Sequence, residues 1–261
     1  MCDVAHIFFR GNLVKQLLIY DRPRELNRVA HRQLRLSPAP VSFGFARAVN
    51  SVPLVVAEFQ RASLDYPIVF AGAPGAEQPA VLLGLSQGDN LFVSDDGGWA
   101  LDAYLPAFIR RYPFVLAEKD GGEDFTVCID EAFAGLGTEE GAHLFNSDGT
   151  ESTVLAHAVK FLTDFQVSLK QTRAFTERLR ELDLLQARTL HVQTASGKAS
   201  MLDGFQVVDA TRLAALKGKP LQALHASGDL ATIHAHLSSL QNVQRLSARL
   251  DRRQPVSNTI N

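Results

Sequence analysis

A stripe of apolar positions, interrupted only by Thr172, runs through Leu155, Ala158, Leu162, Phe165, Leu169, Phe175, Leu179 and Leu182. Steps of three and four sustained over roughly eight turns predict one long helix packed along one face, with Ser152 as its N-cap. Tertiary packing or self-association can bury that face, and the pattern does not choose between them. Upstream the pattern is different. Short apolar runs bounded by Gly, Pro, Asn and Asp predict strands at 16–20, 41–48, 52–59, 66–70, 80–85 and 91–93. Tyr104, Leu105, Phe108 and Ile109 recur at helical spacing, with Pro106 confined to a first turn and Pro113 ending the helix. A hairpin follows, 114–116 and 125–129, turning at Gly121-Gly122.

After Asp130 the reading changes to helix. Thr138, Glu139 and Glu140 resemble a helix start leading through Ala142, Leu144 and Phe145. Strands at 189–193 and 205–208 join through a turn at Ser196-Gly197 and a return over 199–202. Short helices at 213–216 and 221–224 precede a last helix carrying Ile233, Leu237, Leu240, Val243, Leu246 and Leu250. The expected class is α+β. An antiparallel, β-rich N-terminal half (15–135) packs against the long amphipathic helix, a small β-hairpin and C-terminal helices (136–253), all in a single domain. Residues 1–14 read as an extension and a start-site artefact, because Val14 can serve as a start codon; a strand over 7–9 is the alternative. The polar tail 254–261 reads as disordered.

Composition narrows the function. Hydrophobic residues at 46% and charged residues at 21% are ordinary for a globular chain, and a net charge of −2 argues against a general nucleic-acid binder. Two cysteines, Cys2 and Cys128, make no disulfide framework, which points to a reducing compartment. No stretch reaches the ~20 apolar residues that span a bilayer, so the expectation is a cytoplasmic protein without direct membrane insertion.

Candidate chemistry is sparse. Cys128 sits inside an apolar strand and reads as an inert core residue. Asp130 and Glu131 are adjacent acids at a strand end, where successive side chains diverge; capping a helix before Ala132-Phe133 is the simpler task for Asp130. His234 and His236 have the wrong helical spacing for zinc, so no metal is assigned, and no cofactor motif occurs. Gly84-Leu85-Ser86-Gln87-Gly88 matches a hydrolase elbow, but a turn and a returning strand follow instead of a helix. Tyr66-Pro67 and Tyr112-Pro113 both enter apolar strands; the tyrosines can share one site, or Tyr-Pro is simply a good extended entry. Arg110 and Arg111 beside Tyr112 can grip a carboxylate or phosphate, or form the solvated end of a helix. Tyr66, Arg110, Arg111 and Tyr112 are therefore the candidate binding residues.

Several stretches carry a resemblance. They are Lys-Gln-Leu-Leu-Ile-Tyr-Asp-Arg-Pro (15–23), Asn-Ser-Val-Pro-Leu (50–54), Asp-Tyr-Pro-Ile-Val-Phe-Ala-Gly (65–72), Tyr-Leu-Pro-Ala-Phe-Ile-Arg-Arg-Tyr-Pro-Phe-Val-Leu (104–116), Phe-Thr-Val-Cys-Ile-Asp-Glu (125–131) and Gly-Phe-Gln-Val-Val-Asp (204–209). Over 15–253 the chain resembles the bacterial SapC family. That family takes its name from a locus tied to surface-layer protein secretion, and members are often labelled peptide-transport proteins. Relatives lie beside genes for TonB-dependent receptors, tryptophan-halogenase-like flavoproteins and cupin-type oxygenases. The resemblance implies a soluble accessory protein that binds a protein or peptide partner in envelope transport, uptake or secretion. The rival is an enzyme acting on a peptide or modified amino acid with flavoprotein or oxygenase partners, using Asp130 or Glu131 as acid or base. A homo-oligomer zipped along 155–182 is a third possibility. No catalytic residue follows from the family.

Overall fold

The computed structural model describes residues 18–37, 42–118, 125–193 and 199–253. The expectations for 1–14, for the start of the 16–20 strand, for the turns at Gly121-Gly122 and Ser196-Gly197 and for the tail fall outside them. In chain order the elements begin with strands β1 (Pro23–Glu25), β2 (Arg35–Leu36) and β3 (Ser51–Pro53). Helix α1 (Phe59–Ala62), strands β4 (Ile68–Ala71) and β5 (Gln78–Leu82) and helix α2 (Ala107–Arg110) follow. Then come β6 (Phe114–Glu118), β7 (Phe125–Asp130), β8 (Leu136–Gly137), β9 (Ala142–His143) and α3 (Thr153–Glu181). The chain closes with β10 (Leu185–Gln193), β11 (Ala199–Val208), α4 (Ala210–Ala215), α5 (Lys219–Ala226), α6 (Asp229–Ser239) and α7 (Val243–Arg253). Among the described residues about 38% are helical and 24% strand, and their strand pairings are antiparallel, in keeping with an α+β reading.

Two compact units are interleaved along the chain: 1–45 with 108–167, and 46–107 with 168–261. The first holds the sheets β1-β7-β6 and β8-β2-β9. In the β6–β7 ladder Phe114 faces Ile129 and Val115 faces Cys128. Alternation then sends Phe114 and Ile129 into a core with Leu144, Phe145, Leu155 and Leu162, while Val115, Ala117 and Cys128 pack beneath Tyr20 on the other face. The second unit holds the sheet β10-β11-β4-β5-β3, with Phe59 and Phe70 against Phe175 of α3.

The long helix matches its pattern. Ser152 Oγ accepts the Leu155 N–H at 3.3 Å, and Arg178 and Arg180 occupy the last turn, where cations oppose the helix dipole. Leu155, Leu162, Phe165, Leu169, Phe175 and Leu179 are all buried. The stripe is consumed within the chain, which overturns the zipper along 155–182.

Several local expectations fail for tertiary reasons. The expected helix from Thr138 is absent: β8 and β9 flank β2 instead, and Gly141 turns between them at φ +103°. A Cβ there would lie 2.2 Å from the Leu36 carbonyl oxygen, so strand pairing overrides the helix signal of Glu139 and Glu140. The expected strand 52–59 ends at Pro53 and becomes helical. Thr172 Oγ1 accepts the Val56 N–H at 2.9 Å, and the buried Glu58 carboxylate accepts from Ala107 N at 2.6 Å and Tyr104 Oη at 2.8 Å. Residues 18–20 form a turn, 44–46 a 3-10 turn, and 91–93 carry a single bridge, Val93 to Trp99, where strands were expected. The last helix is split by a 3-10 turn at Leu240–Asn242, whose Asn242 side chain donates to the Ser63 carbonyl at 2.7 Å.

Candidate functional site

The stretch from α2 into β6 turns sharply. Tyr112 N donates to the Ile109 carbonyl at 3.2 Å and Phe114 N to the Arg111 carbonyl at 2.8 Å, and the Tyr112–Pro113 peptide is cis. The turn sends the adjacent arginines to different environments. Arg110 is exposed, its guanidinium 5.3 Å from the Phe161 ring centre. Arg111 is buried at 4% exposure, its guanidinium 4.1 Å from the Phe108 ring, 5.4 Å from Phe165 and 5.6 Å from Tyr20. Burial lowers its pKa, and a hydrogen bond to Tyr20 opposes that shift. Burial likewise raises the Tyr20 hydroxyl to about 12 against the pull of Arg111, and that hydroxyl donates to the Phe114 carbonyl at 2.7 Å. Arg111 thus acts as an internal cation that ties α2, α3 and the N-terminal segment together through aromatic faces.

Tyr112 is the hub of an aromatic array. Its ring stacks on Phe45 at 3.9 Å, meets Phe133 edge-on at 5.4 Å and tilts against Tyr20 at 5.4 Å. Phe43 extends the array through Phe45 at 6.1 Å. All five rings are half-buried, so each keeps part of its surface toward solvent. The Tyr112 hydroxyl is engaged by Asp130; burial, then the Asp130 charge and that hydrogen bond, raises its pKa. The half-buried rings form an aromatic surface bordered by Arg110, suited to stacking and cation–π contact. The strand pattern hid Phe43 and Phe45, whereas Gly44 between them was the available signal for a turn.

The two acids diverge. Asp130 is fully buried, and its oxygens accept from Asp21 N and Arg22 N at 2.9 Å and from Ala132 N at 3.0 Å. It caps a turn, not the helix expected there. Glu131 is exposed and reaches the Nε2 of the buried His31 at 3.2 Å, while His31 Nδ1 accepts the Asn27 N–H at 2.8 Å. Nothing in the local sequence of His31 announced that pairing across the unit.

Tyr66 belongs to the second unit. It is fully buried, its hydroxyl donates to the Tyr104 carbonyl, and its ring tilts against Phe92 at 4.6 Å. Pro67 and Pro113 each lead into a buried strand, β4 and β6. Cys128 is buried and its thiol is pushed up to about 11 by desolvation. Ser86 lies in a bend followed by a turn at 87–88, without the helix an elbow needs. His236 is buried with Nε2 accepting the Val208 N–H at 3.0 Å, whereas His234 is exposed. Among the described residues, no group of three or more His, Cys, Asp or Glu side chains is placed to hold a metal ion, and no helix is long and apolar enough to cross a membrane.

A family model described as SapC matches residues 26–246, most of the chain. The chain belongs to the SapC family. No curated protein and no solved structure matches it. For a SapC-family chain, the stretch 104–116 that carried the resemblance is also the one that builds the Arg111 core and the Tyr112 array.

Proposed function

We propose that this SapC-family chain is an accessory protein that binds a protein or peptide partner in an envelope transport, uptake or secretion pathway. The observation that carries the reading is the half-exposed aromatic array centred on Tyr112, with the exposed residue Arg110 two positions earlier. Trp, Tyr and Arg are enriched among the residues that contribute most to protein recognition. The aromatic rings bury large area with few rotamers to freeze, and the planar guanidinium of arginine both stacks and donates several hydrogen bonds. The acid a hydrolytic reading would use first, Asp130, is already committed to three backbone amides. The enzymatic alternative draws support from the exposed Glu131 carboxylate at His31, but both ring nitrogens of that histidine are engaged.

The test is affinity purification from the native host with wild-type chain, Arg110→Ala and Phe45→Ala, followed by mass spectrometry. A partner retained by the wild type and lost by both variants, at unchanged circular dichroism, supports the reading. Equal recovery by all three removes this surface, and a co-purifying small molecule without a protein partner favours the enzyme.

A further inference from the structure

Residues 22–35 hold Arg22, Arg24, Arg28, Arg32 and Arg35 against one acid, Glu25, in a chain whose net charge is −2. Strand alternation parts that acid from its neighbour. In the β1–β7 ladder Arg24 stands opposite Ile129 and Glu25 opposite Cys128, so the two lie on opposite faces. Thr126 Oγ1 donates to the Glu25 carboxylate at 3.5 Å. Beyond β1 the chain folds into a braced turn. His31 N donates to the Asn27 carbonyl at 2.8 Å, and His31 Nδ1 accepts the Asn27 N–H, also at 2.8 Å. Asn27 Oδ1 accepts the N–H groups of Val29 and Ala30 at 2.7 and 3.2 Å. Residues 27–30 are all exposed, Val29 at 80%, so the turn projects from its unit with Arg28 and Arg32 on either side of Val29 in the chain. Arg22, Arg24, Arg28 and Arg32 are exposed.

Three of the five guanidiniums are fixed by neutral acceptors. Arg22 donates to the Glu131 carbonyl at 3.2 Å, Arg32 to the Ser147 carbonyl at 2.8 Å and Arg35 to the Gly141 carbonyl at 3.3 Å. A carbonyl orients a guanidinium without cancelling its charge. The second unit treats its arginines differently: Arg178 meets Asp229 at 2.7 Å and Arg249 meets Asp102 at 2.8 Å. Of the acids bordering residues 22–35, Asp130 is committed to backbone amides, Glu131 turns its carboxylate to His31 at 3.2 Å, and Asp21 is exposed.

We propose that this face receives an acidic segment of a protein partner, its carboxylates seated on Arg24, Arg28 and Arg32 around Val29. The proposal rests on the reading above that the partner is a protein or peptide, and on none of the residues named there. Charge complementarity sets the sign of the occupant, and the choice of cation sets its chemistry. All five are arginine, whose planar fork matches a carboxylate with two parallel hydrogen bonds, and the turn and the carbonyl contacts hold that fork in place beforehand. A fluid anionic membrane rewards the number of charges and not their orientation, and firm anchoring there takes a second, apolar signal far larger than one valine. A nucleic-acid surface calls for a basic excess over the whole domain.

Fluorescence anisotropy with a labelled octaglutamate peptide and the full chain tests it, beside flotation with phosphatidylglycerol vesicles and anisotropy with a single-stranded oligonucleotide. The wild type is expected to bind octaglutamate in a salt-dependent way, and to bind the vesicles and the oligonucleotide more weakly. Arg24→Ser with Arg28→Ser should raise the octaglutamate dissociation constant about tenfold at unchanged thermal midpoint. Arg24→Lys with Arg28→Lys keeps the charge and loses the fork, and should raise it about threefold. Absence of octaglutamate binding, or affinity unmoved by either double variant, overturns the proposal. Equal or tighter binding to the vesicles or the oligonucleotide also overturns it, in favour of lipid or nucleic acid. The aromatic array is tested separately by the Arg110→Ala and Phe45→Ala purifications, so either reading can fail while the other stands.

Discussion

Replacing Asp130 is the most direct probe of how the candidate site is held. Its carboxylate lies at 0% exposure and accepts three backbone N–H groups at 2.9, 2.9 and 3.0 Å. Removing the acceptor with Asp130→Ala leaves those donors without their partner. An unsatisfied buried donor costs ~1–3 kcal/mol, more when the lost acceptor was charged. Asp21 and Arg22 are themselves exposed, so water can recover part of the loss at their amides, and Ala132 is half-buried. The expected cost is therefore about 2–4 kcal/mol rather than the sum of three full penalties. Asp130→Asn keeps one acceptor oxygen but turns an NH₂ toward the remaining donors, so it should cost about half as much. Urea unfolding followed by circular dichroism gives the first number: a midpoint lowered by roughly 1 M for the alanine variant at unchanged slope. Amide hydrogen exchange gives the location, with protection lost first at Asp21, Arg22 and Ala132 and along β1. If the alanine variant unfolds with the wild type, or exchange at those amides is unchanged, the carboxylate is not what anchors the N-terminal segment to β7.

His236 is buried with its pKa depressed to about 4 by desolvation, so the native state favours neutral imidazole. As pH falls below the unfolded value of ~6.5 the unfolded chain takes the proton first; stability should decline between pH 6.5 and about 4 by up to about 3 kcal/mol, and His236→Gln should flatten that decline in urea midpoints measured across the range. Gly141→Ala should destabilise by about 2–3 kcal/mol in thermal or urea unfolding, because the new Cβ meets the Leu36 carbonyl oxygen at 2.2 Å from a left-handed backbone; a neutral result would mean the β2–β9 approach is looser than drawn. Arg249 binds both oxygens of Asp102 at 2.8 and 2.9 Å and covers the Phe92 ring at 4.4 Å. Arg249→Ala should cost only about 1 kcal/mol yet speed amide exchange over 94–104, since an exposed ion pair contributes little to global stability; unaltered exchange there would remove Arg249 from the role of loop clamp.

Local pattern carried some elements well and failed at others for identifiable reasons. The helix stripe from Leu155 to Leu179 and the β6–β7 hairpin were legible because each repeats one periodicity against one buried surface. The strand expected at 52–59 and the helix expected from Thr138 were not. At both places a partner distant in the chain decides the backbone: Thr172 and Ala107 for the turn at Glu58, β2 for the segment around Gly141. The ladder of Arg245, Arg249 and Arg253 drew no reading from the sequence, because its counterparts Asp65, Asp102 and Asp89 lie more than a hundred residues away along the chain.

The same division holds at the candidate site. Sequence alone determined the SapC resemblance, the α+β class and the long helix, because these rest on residue order and on local periodicity, and it marked 104–116 as one of the stretches that carry the resemblance. It could not separate Arg110 from Arg111, which share a residue type and adjoining positions. Tertiary structure left Arg110 an exposed residue beside the Phe161 ring and enclosed the Arg111 guanidinium among Phe108, Phe165 and Tyr20. It also gathered Tyr20, Phe43, Phe45 and Phe133 around Tyr112, and gave Asp130 its backbone amides. Those contacts join segments far apart in the chain, and only the closing of long loops around a shared core brings them within van der Waals and hydrogen-bonding range.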